Sequence, residues 1–521
     1  MADSDDSKNL DGRPEIRATL DVARPEAVAK RHAKGHRTAR ENLENLCDPG
    51  SFVEYGQLAV AAQRQRRSAE ELRAETPADG VITGIGTINA GRFGPERSRA
   101  AVAINDYTVL AGTQGYFHHR KLDRLFAVAQ RQGLPVVMFA EGGGGRPGDV
   151  DVTIANSGLD VPTFGAWAAL SGRVPRIAVA HGYCFAGNAA LFGSADVTVA
   201  TRSSWIGMAG PAMIEGGGLG TFGPKEIGPI EVQAKNGVVD VVVEDEAEAT
   251  TVAKQLLGYF QGHDNAWTAP DSDTLRTVLP EDRRYSYDAR RLIEGLVDEG
   301  SFVELRRAYG GSVITGLARL EGRPVGLLVS DTKALGGAID AAAAEKAARF
   351  LQLLDAFDLP VISLCDTPGF MVGPKSEEEA AVRRMSRLFV VGARVEVPWI
   401  CVVVRKAYGL GVMALAGGSL ARPDLTVAWP QGELGAMGLE GAVRLGFKRE
   451  LEAADPEERE ALFDRLVQQL YTKGKAVEAA AFLEVDAVID PSETRRVVTA
   501  ALASADGRPP HVERKRFVDP W

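Results

Sequence analysis

The sequence repeats itself, and the repeat limits what it can fold into. DPGSFVE stands at residues 48–54, and DEGSFVE stands at 298–304. Three further echoes follow in the same order. GLPVVMFAEGGGGRPG around Pro135 is answered by DLPVISLCDTPGFMVG around Pro360. VPRIAVAHGYCFAGNAAL from Val174 is answered by VPWICVVVRKAYGLGVMAL from Val397. VVDVVVEDEAEATTVAKQL around Asp240 is answered by EVDAVIDPSETRRVVTAAL around Asp486. The spacing between partners drifts, as loop insertions in two related units would make it drift. A chain of 521 residues is also too long for one core and comfortable for two of roughly 250 residues each.

Composition narrows the class. The chain is 45% hydrophobic and 25% charged, ordinary for a soluble globular protein. A formal net charge of −10 argues against nucleic-acid binding, which needs a basic face, so an anionic ligand requires a local cluster of Lys and Arg. Cys47, Cys184, Cys365 and Cys401 lack metal-ligand or disulfide-framework spacing. Cys184 and Cys401 lie in apolar strand-like runs and read as reduced core thiols. The acidic start MADSDDSKNLDGRPE is no signal peptide, and the longest apolar runs are too short for a membrane span. The expectation is a reduced, cytoplasmic protein with no membrane, nucleic-acid or metal partner.

The order of elements is that of an α/β protein. Residues 1–15 read as a disordered lead and 16–46 as a charged helical stretch lying over another surface. A first domain spans 16–262, a polar linker 263–284, and a second domain 285–521. In the first, VVMFAE and RIAVAHG are β-branched apolar runs, and RKLDRLFAVAQRQG has helical periodicity with a glycine stop. In the second, VGLLVSD, VISLCD and WICVVVRK alternate with the helix AEKAARFLQLLDAF.

Chemistry is expected at the turns. Each unit sets a small-residue turn between a buried strand and a helix-like run: Phe185-Ala186-Gly187-Asn188, and Tyr408-Gly409-Leu410-Gly411. Such a turn leaves amides of the new helix unpaired, with the positive end of the dipole behind them. That is the geometry of an oxyanion hole; a close helix–strand crossing is the competing explanation. A second pair of turns, EGGGGRPGD (141–149) and DTPGFMVGP (366–374), also follows strands and carries Glu141 and Asp366 at its edges. Four consecutive glycines suit close approach of a ligand or backbone, and such a loop can form a nest of N–H groups. GGGLGTFG (216–223) contains a formal GxGxxG but lacks the strand and helix of a dinucleotide site. GxSxG, HExxH and P-loop motifs are absent. His118 and His119, beside Lys121, read as structural or anion-contacting rather than metal-ligating. The implied chemistry is oxyanion stabilisation without an obvious protein base, which suits a cofactor that brings its own.

These residues resemble a known family, the carboxyltransferase (β) subunits of biotin-dependent acyl-CoA carboxylases of the propionyl-CoA and methylcrotonyl-CoA type. KGHRTARENLENLCDPGSFVE is similar to that family's K.TARERI..L.DPGSF.E. EGGGGR stands where it has DSGGAR, RKAYGLG matches RKAYGGA, and TVAWPQGELGAMGLEGAV matches..AWP.AE...MG..GAV. The likeness covers about residues 30–505 and implies two tandem crotonase-type ββα superhelix domains. It implies a homo-hexamer, a trimer of dimers in which the first domain of one subunit faces the second of another. It further implies a separate biotin carboxylase and biotin carboxyl carrier, with carboxybiotin as cofactor and acyl-CoA as substrate. Carboxybiotin releases CO₂, the ureido anion takes the α-proton, and the thioester enolate attacks CO₂. Carried over by position, Ala186 and Gly187 form one hole and Leu410 and Gly411 the other. Lys121, Gly144, Gly145, Arg146, Tyr408, Gly409 and Met413 are substrate- or cofactor-binding candidates. Arg66 and Arg67 are weaker phosphate contacts, more simply a solvated face.

The departures mark a divergent member. Ala186 and Leu410 replace glycines, Met413 replaces an Asp near the acyl pocket, the segment around Gln233 replaces a histidine, and MVGPKSEEEAAVRR differs throughout. Three other readings stay open. The same fold could run backwards as a biotin-linked acyl-CoA decarboxylase. It could be a hydratase or isomerase using Glu141 or Asp366 as acid or base. It could also be a non-catalytic scaffold.

Overall fold

The computed structural model describes residues 14–151, 159–506 and 516–520. Most of the expected disordered lead lies outside the described residues; Pro14 and Glu15 open a one-turn helix, Pro14–Arg17. One compact unit runs to Gly262 and takes in Arg516–Pro520, and a second begins at His263.

Each unit is built on a twisted mixed sheet. In the first, β1 (Val53–Tyr55), β2 (Val81–Thr87), β3 (Arg99–Asn105), β4 (Val136–Gly142), β5 (Arg176–Phe185), β6 (Val197–Thr201) and β8 (Val241–Val243) are neighbours in the order β1-β2-β3-β4-β5-β6-β8, and β7 (Trp205–Gly207) pairs with β5. In the second, β9 (Val303–Leu305), β10 (Val313–Leu320), β11 (Arg323–Ser330), β12 (Val361–Thr367), β13 (Trp399–Tyr408), β14 (Leu425–Ala428), β15 (Glu433–Gly435) and β16 (Ala487–Val488) repeat the plan. The order is β16-β14-β13-β12-β11-β10-β9, with β15 on β13. In both sheets the first three strands are antiparallel and the later ones parallel. The central strands carry almost unbroken β-branched and small apolar residues because both faces are covered; every residue of β4 and of β12 is buried.

The repeated heptapeptides sit at matching sheet edges. Glu54 pairs with Gly84, and Glu304 with Gly316. A Cβ on Gly84 would come within 2.5 Å of the Phe52 ring, and one on Gly316 within 2.3 Å of the Phe302 ring. Arg40 pairs with Glu54 and Arg290 with Glu304. The motif is a structural edge clasp used twice.

Helices close the sheets. Tyr116–Gln132 ends on Gly133, whose φ of 65° supplies the left-handed C-terminal stop. Ala341–Ala356 starts at Asp340, whose carboxylate accepts the Ala343 N–H at 2.8 Å. Leu122, Leu125, Phe126 and Trp167 pack under the first sheet with Val136 and Met138. Leu292, Ile293, Leu327 and Trp429 form the equivalent core of the second unit. Leu275 and Val278, in the stretch read as a linker, are buried in that same core. All four cysteines are buried and free. No helix among the described residues is long and apolar enough to cross a membrane.

Candidate active site

The carboxyl ends of the central parallel strands, where open α/β sheets bind ligands, carry both glycine-bearing turns. β5 ends at Phe185. Ala186 follows at φ 51° and ψ −119°, and a helix runs from Gly187 to Gly193. β13 ends at Tyr408, Gly409 takes φ 56°, and a helix runs to Leu415. The short strands fix which positions correspond. Phe185 pairs with Gly207 on β7, and Tyr408 pairs with Gly435 on β15. Ala186 is therefore equivalent to Gly409, Gly187 to Leu410, and Asn188 to Gly411.

This register corrects part of the expected site. The Ala186 N–H donates to the Gly207 carbonyl at 3.0 Å, extending the β5–β7 ladder, so it is not available to a ligand. The N–H groups of Gly187, the first residue of its helix, and of Leu410, the second of its helix, have no acceptor among the described residues. Gly411 lies one position beyond. A Cβ on it would stand 2.6 Å from the Gly369 Cα, so it acts as the contact between turn and loop.

The facing loops match as well. Gln114 bridges to Gly145, and Ile339 bridges to Phe370. The Gln114 N–H donates to the Gly144 carbonyl at 2.7 Å, and the Arg146 N–H to the Gln114 carbonyl at 2.9 Å. Ile339 makes the same pair of bonds with Gly369 and Met371. This bracket turns the N–H groups of Gly145 and Phe370 away from the bridge, and neither has an acceptor among the described residues. In the first unit, loop and turn are in contact: a Cβ on Gly144 would lie 2.6 Å from the Ala186 methyl. Phe370, which no glycine pattern marks, is a candidate site residue that sequence reasoning missed.

Buried amides stiffen the first turn. Asn188 Oδ1 accepts from Asn105 Nδ2 and Gln114 Nε2, each at 2.9 Å. Asn105 Nδ2 also donates to the Glu141 carbonyl at 3.0 Å. A buried network of this kind favours one geometry. The edge carboxylates are likewise engaged. Arg31 grips Glu141 through two hydrogen bonds of 2.8 and 2.7 Å, and Arg405 Nε donates to Asp366 at 2.9 Å. Both acids are buried inside these ion pairs, which removes them as general bases for a hydratase-like reaction.

Other expected binding residues have structural employment. Lys121 is 7% exposed, and its ammonium donates to the Ala78 and Val81 carbonyls. Burial pulls it down to about 8. That corrects its reading as a CoA contact. Arg146 is also internal: it pairs with Asp79 and donates to the Thr113 carbonyl at 2.7 Å, pinning the glycine loop. The His118 backbone N–H donates to Asp79 at 2.7 Å, and burial holds its imidazole well below the usual histidine range. His119 shares a hydrogen bond of 2.9 Å with Thr163. Arg66 is exposed, and Arg67 pairs with Glu75 at the surface. Gln233 Nε2 donates to the Ile206 carbonyl at 2.6 Å, bracing β7. The Tyr408 ring is buried, whereas Leu410 is 61% exposed and Met413 is partly exposed.

Other exposed cations border a cavity. A cavity of about 680 Å³ in the first unit is lined by four cations, Arg24, Lys30, Arg31 and Lys34, by two acids, Glu26 and Glu75, and by Tyr107 and Leu110, among others. Lys30, in the helix Pro25–His32, and Lys34, just past its end, are both exposed. Arg24 is held by Asp106 at 2.9 Å, and Arg31 stands over the Tyr107 ring at 5.7 Å. The wall leads straight to the loop, because Ala111 accepts the Gly143 N–H at 3.2 Å.

Comparison with known proteins decides the family. The carboxyl transferase domain model matches residues 30–517. The chain belongs to the carboxyl transferase family. The methylmalonyl-CoA carboxyltransferase 12S subunit of Propionibacterium freudenreichii subsp. shermanii is 33% identical over 91% of this chain and 90% of its own length. The solved transcarboxylase 12S, a hexamer bound to methylmalonyl-coenzyme A and methylmalonic acid, superposes with a TM-score of 0.80 at 30% identity, covering 94% of each chain. A single-chain, multi-domain long-chain acyl-CoA carboxylase superposes with a TM-score of 0.90 at 57% identity over 96% of this carboxyl transferase chain. The chain spans about half of that protein, 49% of its length. The two tandem crotonase-type units are thus the fold of this carboxyl transferase.

Proposed function

We propose that this carboxyl transferase moves a carboxyl group from biotin, carried on a partner protein, to the α-carbon of an acyl-CoA. One observation carries the reading. Gly187 and Leu410, at equivalent positions in two sister units, each present an unpaired amide in the first turn of a helix beside a second unpaired amide, Gly145 or Phe370. The reaction develops negative charge on two oxygens, the thioester carbonyl and the ureido carbonyl, so two such sites are required. On this reading Gly145 and Gly187 take one oxygen, and Phe370 and Leu410 the other.

Backbone amides next to glycine suit a group that must come within about 3 Å of the main chain. When bound, the carboxylated ureido group supplies both CO₂ and the base that the turns lack. The chain's own part is positional. Its amides lower the energy of each oxyanion, and the Arg31–Glu141 and Arg405–Asp366 pairs keep the bulged strand ends rigid. By microscopic reversibility the same amides serve decarboxylation, so direction is set by the partner.

The cavity beside Lys30 and Lys34 receives the phosphorylated nucleotide end of CoA, which a protein of net charge −10 must meet with a local cluster of cations. The acyl group is a long chain. The 57% likeness to a long-chain carboxylase supports this. So do Met208, Met213, Leu219 and Phe222, exposed apolar residues of the segment that follows β7 and packs on Phe185 through Gly210. On this reading a biotin carboxylase and a biotin carboxyl carrier supply the carboxylated ureido group, and the working assembly is a homo-hexamer, as the transcarboxylase 12S is.

The test is carboxyl transfer by the chain mixed with its biotinylated partner, across acyl-CoA esters from short to long. A kcat/KM rising with chain length supports the proposal. A preference for short acyl groups removes the long-chain assignment, and failure to carboxylate any ester removes the function. Separately, Lys30→Glu with Lys34→Glu should weaken CoA binding at least about tenfold.

A further inference from the structure

One side chain reaches from the basic cavity to both strands that deliver the first hole. Arg31 lines the cavity and stands over the Tyr107 ring, also in the cavity wall. Its guanidinium is 6% exposed and holds Glu141 on β4 through both carboxylate oxygens, at 2.8 and 2.7 Å. The same Nη2 stands 3.5 Å from His181 Nδ1 on β5 and 3.9 Å from Glu246. Nε donates to the Arg37 carbonyl at 2.9 Å. The surrounding charged groups complete a closed cluster. Glu246 lies 3.5 Å from His181 and 2.9 Å from His36. Burial works to raise the Glu246 carboxyl, but the bonds from the two histidines prevail and hold it far below its usual range.

What Arg31 holds is where the site begins. β4 shifts register between Ala140 and Gly142, around Glu141. The next residue has no slack, since a Cβ on Gly142 would overlap the Gly112 carbonyl at 1.9 Å. The loop to Gly145 therefore takes its origin from Glu141. His181 lies on β5, the strand that ends at Phe185, ahead of Ala186 and Gly187. Among the described residues of the cavity wall, Arg31 alone makes polar contacts with both Glu141 and His181.

We propose that Arg31 is a positioning residue that links filling of the cavity by the nucleotide end of CoA to the alignment of the Gly145 and Gly187 amides. It rests on the reading of the cavity as the CoA site. The physical content is that contacts remote from the reacting carbon are used to set the geometry there, so they act on kcat and not only on KM. Arg31 qualifies because its bidentate fork fixes both the distance and the plane of Glu141, which a lysine's single ammonium does not.

The experiment compares two thioesters of the acyl group turned over fastest, one of CoA and one of pantetheine, which lacks the nucleotide. Wild-type enzyme with its biotinylated partner is expected to give a kcat at least about tenfold higher for the CoA ester. In Arg31→Lys that advantage should shrink to within about twofold, while calorimetry with adenosine 3′,5′-bisphosphate still shows binding. Glu141→Gln asks the same question from the other side of the contact, should Arg31→Lys fail to fold. Equal loss on both esters would mean that Arg31 only supports the fold, and would overturn the proposal. So would a wild-type enzyme with no kcat advantage for CoA. If the bisphosphate binds wild type and the Lys30→Glu, Lys34→Glu protein equally well, the cavity assignment itself has failed, an outcome visible in affinity and independent of kcat.

Discussion

Ala186 and Gly409 hold the same backbone position in the two units, each at a φ near 50°, 51° for the alanine and 56° for the glycine. The pairing of Phe185 with Gly207 and of Tyr408 with Gly435 sets the equivalence. One unit meets the conformation with glycine, which adopts it freely. The other forces it on a residue with a Cβ, which costs on the order of 1–3 kcal/mol.

Ala186→Gly should therefore stabilise the first unit. Release of strain outweighs the extra unfolded-state entropy of glycine, about 0.4–1 kcal/mol, for a net gain of about 1 kcal/mol. The Ala186 N–H already bonds Gly207 at 3.0 Å and a glycine keeps that bond, so kcat should hold within about twofold. Thermal melts and steady-state rates check both.

Behind the second turn lies a pair that the first unit lacks. The Tyr408 hydroxyl and both oxygens of Glu433 are buried without a hydrogen-bond partner among the described residues, and Arg283 comes no closer to Glu433 than 3.6 Å. The corresponding pair in the first unit is Phe185 and Trp205. Burial raises the Glu433 carboxyl above its ordinary value of 4.5. Above 4.5 the folded chain then holds a proton that the unfolded chain has lost, so this group's contribution to stability falls as pH rises through that window. Glu433→Gln should therefore gain in stability on wild type as the pH rises from about 4.5 to about 8, measured by denaturant melts across that range.

Two buried lysines give the opposite slope. The Lys346 ammonium donates to the Tyr309 carbonyl at 2.9 Å, and burial brings it down to about 7. Lys121 is brought down to about 8. In the unfolded chain both titrate near 10.5. Between those values the unfolded state binds more protons, so stability rises from about pH 7 toward pH 10. Lys346→Met should flatten part of that rise in melts taken at pH 7, 8.5 and 10.

How much of this was written in the letters depends on the residue. The duplication, the strand–turn–helix grammar and the glycine loop at Gly142–Gly145 were legible because they rest on local pattern and on backbone freedom. The matching of the two turns was not. Aligned by eye, Ala186-Gly187 and Leu410-Gly411 look like partners; the register that separates them comes from β7 and β15. Those strands have three residues each and pair with β5 and β13 from across a loop, too short for any period to announce them. Lys121 and Arg146 carry charge beside a glycine turn, yet both point inward to carbonyls and Asp79, a choice made by packing. Lys30 and Lys34 sit in a stretch read as charged helix, with nothing in its pattern to show that it borders a cavity. Phe370 contributes only its N–H, and a backbone group leaves no mark on side-chain identity.

On the proposed function, main-chain amides in both units, one at Gly187 and one at Leu410, stabilise the two oxyanions of carboxyl transfer. Replacing each of those amides in turn by a main-chain ester deletes a single N–H and leaves every side chain in place. Carboxyl transfer in the full assembly should then fall about 10²–10³-fold at either position, with the fold and CoA affinity retained. A rate within about threefold of wild type at either position would contradict it.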